Sequence, residues 1–246
     1  MTLVAETAAA LIIGNELLSG KIQESNLLEL SRLLRALGIA LTRAVIVPDD
    51  VDVIARELTL MRSAADVVFT SGGVGPTHDD VTVEAVARSF GVQAVRDPTL
   101  AGMLREVYGE RCSEAHLRMA LVPLGAELLS TADVKWPTPK IGNVFILPGV
   151  PEIFRAKLDV VRAHVSGRRK FASKAIFLRL DEADLTQALD QVVAAHPEVE
   201  IGSYPKWFEP RYKTKVTFDG RDEQAVESAF SDFVGRFAED LIVRVD

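Results

Sequence analysis

Ser71-Gly72-Gly73-Val74-Gly75-Pro76-Thr77-His78-Asp79-Asp80 is the stretch of this chain best equipped for chemistry. Its glycines permit positive φ and let the backbone approach a ligand closely. Amides of such a loop, where it opens a helix, favour a phosphate or a carboxylate. Asp79 and Asp80 would repel that anion unless a divalent cation lay between them. A magnesium-like ion held by one or two carboxylates plus substrate phosphates resolves the conflict. Two plainer readings stand beside this one: residues 72–75 as a tight strand-to-helix turn, and Asp79 and Asp80 as caps of the next helix.

Other polar segments weigh less. Glu16 follows the first apolar run, where it is either a ligand or metal contact or a carboxylate at a helix start. Asp49 and Asp50 follow Val47-Pro48 and read first as helix caps, with a place in the site as the lesser alternative. His78 reads as an exposed loop residue, and His116, His164 and His196 as structural. Cys112 is the only cysteine, which excludes an internal disulfide and a cysteine-type zinc site. Gly14 and Gly20 stand one position too far apart for a P-loop, and Ile22 occupies the place of its Ser or Thr. The glycines around Gly72 make no G-x-G-x-x-G either. No Ser-His-Asp arrangement points to nucleophilic catalysis.

These loops need elements to hold them. Ala8 to Ile13 is apolar without alternation, as a strand buried on both faces would be. Leu27, Leu28, Leu30, Leu33, Leu34 and Leu37 fall at helical spacing, with Ser25 or Asn26 as the cap and Gly38 at the end. The pattern continues with a strand over 39–47, a helix over 51–63, a strand over 66–70 and a helix over 82–90. Helices are then expected over 99–108 and 113–122, a strand over 143–147 and a helix over 151–165. Alternation of this kind implies a parallel sheet with helices on both faces. Ligands of such sheets gather beyond the carboxyl ends of the strands. The loops 14–21, 72–80 and 148–152 therefore share one edge. After Gly167-Arg168-Arg169-Lys170 the order becomes strand, helix, strand, strand, helix, strand, a second and smaller α+β unit. The expected domains are 1–168 and 169–246.

Hydrophobic residues make up 48% of the 246 and charged residues 26%, the balance of a folded globular protein. No run is long enough to span a bilayer, and the start carries no basic segment or cleavage site of a signal peptide, so a cytoplasmic protein is expected. Residues 1–171 carry 19 basic and 20 acidic side chains, whereas residues 172–246 carry 9 and 15. So acidic a second unit is a poor partner for nucleic acid.

Three segments together resemble proteins of the CinA and molybdopterin-binding family. Ile13-Gly14-Asn15-Glu16-Leu17-Leu18-Ser19-Gly20 is similar to the family's I-G-D-E-L-L-x-G. Ser71 to Val86 is similar to its T-G-G-x-G-P-T-x-D-D-x-T-x-E-A-V. Leu147-Pro148-Gly149-Val150-Pro151-Glu152 is similar to its L-P-G-x-P-x-E. Gly202-Ser203-Tyr204-Pro205-Lys206-Trp207 and Asn143-Val144-Phe145 resemble segments of the domain preceding the synthase half of animal FAD synthases. The resemblance implies a three-layer αβα domain with a mainly parallel sheet, followed by a small α+β, KH-like domain. This chain has no G-x-x-G loop in that second region, so RNA binding does not follow from the label.

By the same resemblance, Gly14, Asn15, Glu16, Ser19, Asn26, Ser71, Gly72, Gly73, Gly75, Thr77, Pro148, Gly149, Pro151 and Glu152 line a pocket for a phosphorylated pterin or nucleotide. Asp80 and Asp79 are the catalytic candidates, and both join Glu16 as candidates for a Mg, Mn or Co ion. Asn15 stands where the family carries Asp, which removes one negative charge from the site. The activity implied first is metal-dependent hydrolysis of FAD or ADP-ribose. A non-catalytic module holding molybdopterin or a nucleotide, and adenylyl transfer to molybdopterin in molybdenum cofactor biosynthesis, stand as alternatives. The expected partners are a small pterin or nucleotide and a second copy of the chain, with no nucleic acid and no membrane.

Overall fold

A computed structural model describes residues 2–246. The chain forms two compact units, Met1–Arg168 and Arg169–Asp246.

The first unit is built on β1 (Thr7–Ile13), α1 (Asn26–Leu37), β2 (Ala40–Val47), α2 (Val51–Ala64), β3 (Val67–Ser71) and α3 (Thr82–Ser89). These are followed by α4 (Pro98–Tyr108), β4 (Glu127–Leu129), β5 (Thr138–Ile141), β6 (Val144–Leu147) and α5 (Pro151–His164). The six strands lie in the order β2-β1-β3-β6-β5-β4. The first four are parallel, and β5 and β4 add an antiparallel edge.

Burial on both faces explains why the central strands are continuous apolar runs. Ala8, Ala10 and Ile12 of β1 pack with Leu30 and Leu34 of α1 and Phe154 and Leu158 of α5. The alternate residues Ala9, Leu11 and Ile13 pack with Ile54 and Leu58 of α2 and Ala85 and Val86 of α3. The result is the mainly parallel, three-layer α/β arrangement expected. At the amino end of the sheet, Asp66 accepts the amides of Glu6 and Thr7 at 2.8 and 2.9 Å, which binds β1 to the start of β3.

The stretch 94–123 differs from expectation. Helix 113–122 is only Glu114–Arg118, and Leu121–Pro123 is a strand paired with Ala94–Arg96. Ser113 and His116 form a capping box that starts the helix. Val122 is β-branched, and Pro123 lacks an amide, which favours the strand at the far end. With α4 this excursion has a small apolar cluster of its own, around Leu100, Leu104 and Leu117.

The second unit comprises β7 (Ala172–Leu178), α6 (Glu182–Ala195), β8 (Glu200–Pro205), β9 (Thr214–Gly220), α7 (Glu223–Val234) and β10 (Ile242–Val245). Its antiparallel sheet runs β8-β9-β7-β10. That is the split-βαβ order, which refines the small α+β, KH-like expectation. Ile176, Leu178, Val216 and Phe218 face Leu185 and Val192 of α6 and Phe230 and Phe233 of α7. Both helices therefore cover one face. The last helix ends at Val234, with Gly235 at its C-cap.

Candidate functional site

The loops after β1, β2, β3 and β6 lie at the carboxyl edge of the parallel strands, and side chains lock them to one another. Asn26, only 5% exposed at the first turn of α1, donates through Nδ2 to Ser71 Oγ at 3.0 Å and to the Gly149 carbonyl at 2.8 Å. Ser71 Oγ donates in turn to the Pro148 carbonyl at 3.2 Å. One buried amide thereby fixes the start of α1, the end of β3 and the loop before α5. Ser25 caps that helix by position only, without a side-chain bond. Pro151 opens α5, with Glu152 exposed beside it in the first turn.

Glycine is required in the loop after β3. Gly72 and Gly73 have φ of 108° and 64°. A Cβ at Gly72 would lie 2.1 Å from the Ile13 carbonyl oxygen, and one at Gly73 would lie 2.4 Å from Thr82 Oγ1. Thr82, fully buried, donates its hydroxyl to the Gly72 carbonyl at 2.8 Å and its amide to the Gly73 carbonyl at 3.0 Å. The amides of Gly73, Val74 and Gly75 have no partner among the described residues. They are donors open to an anion.

Asp79 and Asp80 do not cap α3, whose cap is Val81. They brace the loop instead. Asp80 Oδ2 accepts the Thr77 amide at 2.7 Å and the Thr77 hydroxyl at 2.6 Å, and Thr77 Oγ1 also lies 2.5 Å from Asp79 Oδ1. The hydroxyl of Thr77 holds the Asp79 carboxyl below the usual range. Gly75 is packed so closely that a Cβ there would meet Asp80 Oδ2 at 2.6 Å. His78 is exposed, 4.0 Å from Asp79, as a loop residue would be.

After β1, Gly14 is buried and residues Asn15–Leu18 form a single helical turn inside the expected loop. The Glu16 carboxylate folds back over Gly14, where a Cβ would meet it at 2.5 Å. Ser19 ends the turn, its hydroxyl on the Glu16 carbonyl at 3.3 Å. The Asn15 side chain forms no hydrogen bond among the described residues, but the backbone N–H of Asn15 donates to Asp49 Oδ2 at 2.7 Å.

Of the two readings of Asp49, the structure supports the lesser one: it does not cap a helix but joins the site. Asp50 alone caps α2, accepting the amides of Asp52 and Val53. Asp49 turns to the sheet edge. Burial raises its pKa, the Asn15 amide opposes the rise, and the charges of Glu16 and Asp79 add to it. Carboxylates from three loops therefore feel one another here. Among the described residues, however, no three His, Cys, Asp or Glu side chains stand ready-made as a metal cluster. Glu16, Asp79 and Asp80 are near the edge but are not preassembled.

A family model described as a probable molybdopterin binding domain matches residues 9–165. The chain belongs to this molybdopterin-binding, CinA-like family. A second model, the middle domain of FAD synthase, matches residues 170–246. A protein of Archaeoglobus fulgidus is 33% identical over 221 residues, covering 90% of this chain and 93% of its own. A probable FAD synthase of Caenorhabditis elegans is 31% identical over 91% of this chain. This chain spans only 48% of that relative's length. The solved CinA protein of Thermoplasma acidophilum, described as of unknown function, is 30% identical with a TM-score of 0.60, over 65% of this chain and 97% of its own. Among the described residues, no helix of this CinA-like chain is long and apolar enough to cross a membrane.

Proposed function

We propose that the carboxyl edge of the first unit binds a nucleoside diphosphate compound such as FAD or ADP-ribose and hydrolyses its pyrophosphate. The observation that carries this reading is the meeting of opposite requirements at one place. Free amides of residues 73–75 suit phosphoryl oxygens, while Glu16, Asp49, Asp79 and Asp80 gather negative charge beside them. A cation between phosphate and carboxylates reconciles the two; the pKa of Asp49 is raised chiefly by burial, and the charges of Glu16 and Asp79 add a repulsion that a cation would relieve.

Asp79 and Asp80, with Glu16, are the residues that would hold a Mg, Mn or Co ion. When bound, such an ion neutralises the diphosphate and lowers the pKa of a water ligand. The chain's own contribution is positional. Thr77 orients both aspartates, Asn26 locks the three loops, and the glycine amides accept charge developing on phosphoryl oxygen. The likeness to proteins named as FAD synthases and molybdopterin-binding domains supports a flavin- or pterin-bearing ligand.

Asn15 favours a second reading, a module that holds molybdopterin or a nucleotide without turning it over, because the site lacks one carboxylate of the family pattern. Thermal shifts with FAD and ADP-ribose, run beside turnover of wild type and Asp80→Asn, separate the two. Hydrolysis is expected to fall at least ~100-fold in Asp80→Asn while the fold and the ligand-induced shift persist. A shift without turnover in wild type selects the binding module, and unchanged turnover in the variant removes Asp80 from the mechanism.

A further inference from the structure

The second unit carries a cleft of about 760 Å³ that the pyrophosphatase reading does not use. Its size falls within the range of small-molecule sites, roughly 300–1,000 Å³. The cleft is built rather than incidental. The amide of Lys206 donates to the Lys213 carbonyl at 2.7 Å, and that of Lys213 to the Leu178 carbonyl at 2.8 Å. Thr214 Oγ1 donates to the Leu180 carbonyl at 2.8 Å, so the loop between β8 and β9 is fastened to the end of β7. Tyr212 stands edge-on to buried Phe177, ring centroids 4.9 Å apart, with Arg244 stacked on that same phenylalanine. On the other strand, a Cβ at Gly202 would lie 2.8 Å from the Tyr204 hydroxyl, so only glycine leaves room for Tyr204 to fold back along β8.

The loop so fastened presents Trp207, 89% exposed, as part of the cleft wall. With the fully exposed Phe208 beside it, two large rings stand side by side in water, the kind of apolar patch found at interaction surfaces. The charge is also out of keeping with its surroundings. Residues 172–246 hold 9 basic side chains against 15 acidic, yet Arg179, Lys206, Arg211 and Lys213 line this one cleft against Asp181, Glu182 and Glu209, a local excess of one positive charge. Arg211 is paired with Glu209 at 2.8 Å and Lys213 with Asp181 at 2.7 Å. The Lys213–Asp181 pair is exposed on both sides and open to exchange for a stronger acceptor, whereas Arg211 holds the partly buried Glu209 through Nε and one terminal nitrogen and keeps its remaining N–H groups for a ligand. Arg179 and Lys206 form no direct ion pair among the described residues.

We propose that this cleft binds a mononucleotide, its planar base on Trp207 and Tyr212 and its phosphate among Arg179, Lys206 and Arg211. Stacking on an aromatic face suits any base, and guanidinium and ammonium groups suit its phosphate. A polynucleotide is a poorer match, because its further phosphates would meet the acidic remainder of the unit. The inference concerns the second unit alone and holds whether or not the first unit hydrolyses anything.

The test uses the full chain with Trp136→Phe, which leaves Trp207 as its one tryptophan. Titration with AMP is expected to quench Trp207 to saturation, and adenosine to bind more weakly. Lys206→Glu with Arg211→Glu is expected to weaken AMP binding at least tenfold. By calorimetry, Trp207→Ala costs about tenfold, while Trp207→Phe retains most of the affinity. Asp80→Asn leaves the Trp207 titration unchanged, so failure of the first unit's reading and failure of this one are distinguishable. Three results overturn the proposal: no quenching at millimolar AMP, quenching indifferent to the double charge reversal, or binding of a short single-stranded oligonucleotide but not of AMP.

Discussion

At the residue scale, the glycine loop and the acids around it make the sharpest claims. Gly72 combines a φ of 108° with a Cβ position 2.1 Å from the Ile13 carbonyl oxygen. Gly72→Ala should therefore lose at least about 2 kcal/mol of stability, checked by urea unfolding, since strained backbone and a main-chain clash add. Asp49 makes a claim about pH. Its folded pKa is raised, chiefly by burial, so its contribution to stability is fullest below the ordinary value of 3.8 and is lost as pH rises through the raised value. Asp49→Asn keeps an acceptor for the Asn15 amide but cannot ionise. The variant should gain stability relative to wild type across that window. Parallel pH curves would show that the Asp49 carboxyl is not held in its buried setting in solution.

At the element scale, the claim is that one buried amide holds three loops together. Asn26→Ala leaves the Gly149 carbonyl without its side-chain donor and Ser71 Oγ without one of its partners, and should cost about 1–3 kcal/mol. Ligand-induced thermal shift should weaken at the same time, because the relative placement of α1, β3 and the 148–149 turn is what the amide sets. The strands and helices themselves were legible. The short apolar runs at 8–13 and 67–69 suit strands buried on both faces, and the leucine spacing at 27–37 has the period of an amphipathic helix. The contacts between loops were not. Periodicity says nothing about Asn26 meeting Ser71, and Asn26 entered the pocket only through family likeness. Asp49 was half legible for a related reason: Pro48-Asp49-Asp50 before a helix reads first as a cap and only second as part of the site, and Asp50 alone fills the capping role. The stretch 94–123 was the least legible, because its strands are three residues long and carry no detectable alternation.

At the scale of the whole molecule, the first unit also buries a cation that takes no part in the proposed chemistry. Lys157 is 4% exposed, donates to the carbonyls of Trp136 and Pro137, and has its pKa lowered to about 8 by burial. The unfolded chain binds more protons than the folded one between that value and the ordinary 10.5, so stability should rise with pH across this interval. Lys157→Met should remove a rise on the order of 3 kcal/mol, measured as the difference between the two proteins' unfolding free energies at the ends of the interval. The central claim, however, concerns what the sheet edge does to its ligand. The most direct measurement is release of nucleoside monophosphate from FAD and from ADP-ribose by the wild-type chain, with and without added Mg²⁺, Mn²⁺ or Co²⁺. The account predicts turnover that requires a divalent cation and stops on chelation. Tight binding of either compound with no monophosphate released under any of the three cations would contradict it.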